Sequence, residues 1–63
     1  MSPNRLSNLT IVVVEDHVDA RRYLGLFLDH LGANVVVAEN AIEGLAAVRT
    51  YQPNLVLSDI SMP

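Results

Sequence analysis

Apolar residues along the chain fall into three short β-branched runs separated by two stretches with helical spacing. Leu9-Thr10-Ile11-Val12-Val13-Val14 is apolar on both alternating faces and is closed by Glu15-Asp16-His17. A strand patterned this way is covered on both sides, which makes it a central one. From Ala20 the period turns helical. Ala20, Leu24, Phe27, Leu28 and Leu31 share a stripe that reads as core, while Arg21, Arg22, Asp29 and His30 lie off it and read as a solvated face. Gly32 stands where a glycine ends a helix. Val35-Val36-Val37-Ala38 is the second run, and Glu39-Asn40 breaks it. Asn40 and Glu43 have the spacing of a capping box, and Ile42, Leu45, Ala46 and Arg49 carry a second helix to about Tyr51. Gln52-Pro53-Asn54 stops it, and Leu55-Val56-Leu57-Ser58 forms a third apolar strand that ends at Asp59.

Strand, helix, strand, helix, strand is the order of an α/β domain with a parallel sheet wound by crossover helices. Residues 1–8 read as a polar lead-in, and 9–63 as one unit. Crossovers are right-handed. If the second one reverses direction, the first strand lies between the other two, giving the order 2-1-3 with the helices on opposite faces. The first and third strands then flank a switch point. Ligands bind at the carboxyl ends of strands in such sheets, where Glu15, Asp16 and Asp59 stand.

Composition narrows the function classes. The chain has 63 residues, 51% hydrophobic and 17% charged, with four arginines, no lysine and no cysteine. Folding would bury roughly 3,600 Å² of apolar surface, worth ~90 kcal/mol, against ~90 kcal/mol of ordering entropy. Stability is marginal, and no disulfide or thiolate metal cluster can add to it. A net charge of −3 without a basic cluster argues against a nucleic-acid surface and for proteins or cations as partners. Met1-Ser2-Pro3-Asn4-Arg5 has no apolar signal region, and no apolar run approaches the ~20 residues of a membrane helix. The expectation is a soluble, cytoplasmic chain that does not enter a membrane.

Carboxylates ending two neighbouring strands repel one another unless a cation lies between them. A hard divalent ion suits such an open acidic cup, and Mg²⁺, which retains waters and takes phosphate oxygens, suits it best. A carboxylate beside that ion can act as a nucleophile toward phosphorus. Taken singly, Glu15 and Asp16 serve equally well at the positive end of a helix dipole, and Asp59 as a turn residue. Together, each directly after an apolar strand, they favour a shared acidic site. His17 reads as topping the first helix and His30 as facing solvent.

Ile11-Val12-Val13-Val14-Glu15-Asp16 and Leu55-Val56-Leu57-Ser58-Asp59-Ile60-Ser61-Met62-Pro63 resemble the two signature strands of response-regulator receiver domains, at matching separation. The resemblance runs from about Leu9 to Pro63 and includes Arg22, Leu24, Gly32 and Leu45. It implies a flavodoxin-like fold and a phosphoacceptor module of a two-component phosphorelay, fed by a histidine kinase or phosphotransfer protein. Asp59 resembles the phosphorylated aspartate and Asp16 a direct Mg²⁺ ligand. Glu15 would bind the ion mostly through water, and Ser61 would contribute its backbone carbonyl. The family's fourth and fifth strands, with their phosphoryl-binding hydroxyl and lysine, have no counterpart in these 63 residues. The chain thus resembles the first half of such a domain and is expected to accept no phosphate alone.

Two other functions stand beside this one. The first is an interaction fragment that accepts no phosphate, which the absence of lysine favours. The second is a Mg²⁺-dependent phosphohydrolase with an aspartate nucleophile, against which Glu15-Asp16-His17 lacks the Asp-x-Asp spacing of the haloacid-dehalogenase type. The order 2-1-3 leaves the third strand as an open edge, so a poorly folded chain or self-association through that strand is expected.

Overall fold

The computed structural model describes residues 6–58. Five elements follow in order: β1 (Thr10–Val14), α1 (Val18–His30), β2 (Asn34–Ala38), α2 (Ala41–Tyr51) and β3 (Leu55–Ser58). The three strands form one parallel sheet in the order β2-β1-β3. This is the order that a reversed second crossover gives, with β1 in the middle, and it agrees with the flavodoxin-like fold that the resemblance implies.

β1 is apolar on both faces because both are covered. Ile11 and Val13 pack with Leu28 and Ala33, flanked by Leu24, Val35 and Leu57, on the side of α1. Val12 and Val14 point the other way, toward α2, as the period of two requires. Gly44 brings α2 down onto Val14 there, where an added Cβ would stand 2.6 Å from Val14 Cγ2. Asn54 pins the start of β1 to the chain entering β3. Its Oδ1 accepts from the Thr10 N–H at 2.8 Å, and its own N–H donates to the Thr10 carbonyl at 2.8 Å.

The helix ends follow their local chemistry. Asn40 Oδ1 accepts from the Glu43 N–H at 2.8 Å, as the capping box requires. In return Glu43 Oε1 accepts from the Glu39 N–H at 2.9 Å, one residue earlier than in the usual box. α1 ends at Gly32, whose φ of 96° suits glycine alone. α2 ends at Gln52, left-handed at φ 48°. Inside the lead-in, the Leu6 N–H donates to the Leu31 carbonyl at 2.9 Å and the Leu6 side chain packs on the core.

Two surface readings are corrected. Phe27 belongs to the apolar stripe of α1 but is 50% exposed, stacked on Tyr23 with ring centroids 6.5 Å apart. It sits at the margin of the stripe, and the sheet reaches only as far as Leu24 and Leu28. Arg21 is half-buried instead of solvated, held by a contact described below. On α2 the residues that announce the helix, Ile42 and Leu45, face outward, and the buried positions are the small Gly44 and Ala47. β3 is an edge among the described residues, with Leu55 48% and Val56 43% exposed, as the strand order implies.

Candidate acidic site at the carboxyl edge of the sheet

The site begins where β1 stops. The Glu15 N–H donates to the Ala38 carbonyl at 3.0 Å, so the β1–β2 ladder extends one residue past β1 and fixes the Glu15 backbone. The side chain of Glu15 then turns inward and is 2% exposed. Asp16 and His17 stay exposed, and α1 begins directly after them. Carboxylates at this place face the positive end of the α1 dipole.

His17 gathers both acids. Its backbone N–H donates to Glu15 Oε2 at 3.0 Å. Its ring Nδ1 lies 2.9 Å from Glu15 Oε2 and 3.0 Å from Asp16 Oδ1. His17 occupies the N-cap of α1 but makes no capping bond with its side chain, which is engaged with the carboxylates instead. The reading of His17 as simply topping the helix is therefore half right. Arg21, one turn into α1, donates from Nη1 to the Glu15 carbonyl at 2.9 Å and braces the loop from the helix side.

These contacts set the charge of Glu15. The His17 backbone N–H, followed by its ring, holds the carboxyl below the ordinary glutamate range, and the opposing effect of burial is smaller. Glu15 Oε1 is buried with no hydrogen-bond partner among the described residues. An ionised, buried carboxylate oxygen without a donor is costly and calls for water or a cation. Ligand atoms of Glu15, Asp16 and His17 all lie within 4.8 Å of one another. The two carboxylates of this set fit a hard divalent ion such as Mg²⁺.

β3 reaches the same edge. Val14 pairs with Ser58, so β1 and β3 end level, and Asp59 is next in sequence after Ser58. Asp16 and Ser58 also line one groove of 420 Å³, walled by Val14, Gly44, Leu45 and Val56. Of the residues singled out in the sequence, Glu15 and Asp16 are brought together, while Asp59 and Ser61 lie outside the described residues. The sequence reading missed the Arg21 brace and the His17 side chain. Arg21 is six residues from Glu15 across a strand-to-helix turn, and no periodic pattern marks such a pair.

No helix among the described residues is long and apolar enough to cross a membrane. The chain is 41% identical over 58 residues to an uncharacterised 14.6 kDa protein of Leptolyngbya boryana, covering 92% of this chain and 44% of that one. It is 42% identical over 57 residues to an uncharacterised response regulatory protein of Vibrio parahaemolyticus, covering 87% and 24%. A probable transcriptional regulator of Cyanophora paradoxa is 40% identical over 53 residues, covering 84% and 22%. The chain thus spans less than half the length of these relatives. No solved structure matches it significantly. The model of the response regulator receiver domain matches residues 11–63, which include both acid-ended strands. With the 2-1-3 sheet and the acidic edge already in place, this match shows that the chain belongs to the response-regulator receiver domain family.

Proposed function

We propose that the chain carries the phosphoacceptor edge of a two-component receiver, with Asp59 as the residue that takes the phosphoryl group. The observation that carries this reading is the buried, ionised Glu15 beside exposed Asp16, at the end of a strand level with the one leading to Asp59. Glu15 and Asp16 would hold Mg²⁺ with Asp59 and the Ser61 carbonyl, and the ion when bound offsets the negative charge of an incoming phosphoryl group. Asp16 contributes an exposed carboxylate able to ligate directly. Glu15, its backbone fixed by Ala38 and Arg21, contributes charge from below and acts mainly through water. Asp59 supplies the carboxylate oxygen that attacks phosphorus. The donor is a phosphohistidine on a cytoplasmic histidine kinase or phosphotransfer protein, and the product is a changed surface.

The test is phosphoryl transfer from a phosphohistidine donor with Mg²⁺, on this chain joined to the remaining part of the Leptolyngbya relative. The expected result is acid-stable, base-labile phosphate that disappears in Asp59→Asn, whose neutral amide is a poor nucleophile. Label retained in that variant refutes Asp59 as the acceptor.

A further inference from the structure

We propose that Glu15, Asp16 and His17 form a mixed carboxylate and imidazole site that takes a transition-series divalent cation, with His17 Nδ1 as its nitrogen ligand. The inference rests on the reading of Glu15 and Asp16 as a cation site and says which ions that site prefers.

Three observations carry it. The imidazole leans over the acids, with Nδ1 2.9 Å from Glu15 Oε2 and 3.0 Å from Asp16 Oδ1, so one point lies within reach of a nitrogen and two carboxylates. The ligand atoms of the three residues fall within 4.8 Å of one another, a separation that one coordinated ion can span. Glu15 Oε1, in a side chain 2% exposed, has no hydrogen-bond partner among the described residues, so one oxygen of the cluster is buried with no donor satisfying it.

The nitrogen changes the selectivity. Mg²⁺ is a hard ion that sheds water reluctantly and is served by carboxylates and retained waters. Imidazole favours Co²⁺, Ni²⁺, Cu²⁺ and Zn²⁺, whose affinities for such sites rise from Co²⁺ to Cu²⁺ and fall back at Zn²⁺. A cup of Glu15 and Asp16 alone would not favour these ions over Mg²⁺ to the same degree, and His17 tips the preference toward them. Ligation uses the Nδ1 lone pair, so the proton that Nδ1 donates to the acids in the metal-free site is displaced by the ion, and the bound ring carries its remaining proton on Nε2.

The test titrates the full chain with Co²⁺ and separately with Mg²⁺, following the visible absorption of bound Co²⁺ and the imidazole proton resonances. Co²⁺ is expected to displace the ring resonances of His17 and leave those of His30 in place. In His17→Gln the ratio of Co²⁺ to Mg²⁺ affinity is expected to fall at least about tenfold, since removing even an indirect ligand contact costs that much. Asp16→Asn should weaken both ions. The ring resonances of the unsubstituted chain report independently of any variant. An unchanged affinity ratio in His17→Gln, or displacement at His30 instead, overturns the role of His17 and leaves the acidic site standing. Indifference of both ions to Asp16→Asn overturns the acidic site itself.

Discussion

Glu15 is a buried acid kept ionised by its neighbour: the N–H of His17 favours the carboxylate more than burial disfavours it. Its pKa in the folded state is therefore depressed relative to the unfolded chain. A depressed carboxyl contributes stability above the unfolded pKa of about 4.3 and loses it as pH falls through the lower folded value. Metal-free protein followed by circular dichroism should accordingly lose stability as pH drops below about 4.3, and Glu15→Gln should flatten that loss. An equally steep acid transition in the variant would place the linkage elsewhere. The acids themselves were legible in the sequence because each directly follows an apolar run, and strand ends are where ligands bind in such sheets. The groups that orient them were not. Arg21 looks like any exposed helix arginine until α1 is folded back against the loop, and only then does its guanidinium meet the Glu15 carbonyl.

Helices were legible in extent and less so in orientation. α2 was marked by Asn40 and Glu43 and by the spacing of Ile42, Leu45 and Arg49, yet its contact with the sheet is made by Gly44 and Ala47. Small residues carry little weight in a hydrophobic pattern, and here they are chosen for close approach. Gly44→Ala would force its Cβ against Val14 Cγ2, and the stiff χ1 of valine yields poorly. Overpacking of this kind costs about 1–3 kcal/mol, against a gain of about 1 kcal/mol in helix propensity. Chemical denaturation should show net destabilisation in Gly44→Ala, largely relieved when Val14→Ala is added. No recovery in the double variant would mean that the close approach is not what requires glycine. On α1 the stripe correctly named Leu24 and Leu28, but Phe27 at its margin lies beyond the sheet and stacks on Tyr23 instead.

At the scale of the molecule right-handed crossovers left few strand orders, and the order 2-1-3 required in addition that the second crossover reverse direction, as it does. What the order leaves open is equally visible: among the described residues β3 is an edge, with Leu55 and Val56 half-exposed on opposite faces of its strand. Unpaired edges with apolar side chains template association. Sedimentation of the chain alone should show growing species as concentration rises, and Leu55→Lys should suppress them. A compact monomer at every concentration would contradict that expectation. The central claim is that the acid pair of β1 and the aspartate following β3 belong to one cation site. Calorimetric titration of Mg²⁺ into the unsubstituted chain, Asp16→Asn and Asp59→Asn tests it most directly. Each substitution is expected to weaken Mg²⁺ binding by about tenfold or more, since one site of like charges loses a ligand either way. Weakening in Asp16→Asn alone, with Asp59→Asn binding as tightly as the unsubstituted chain, would contradict it.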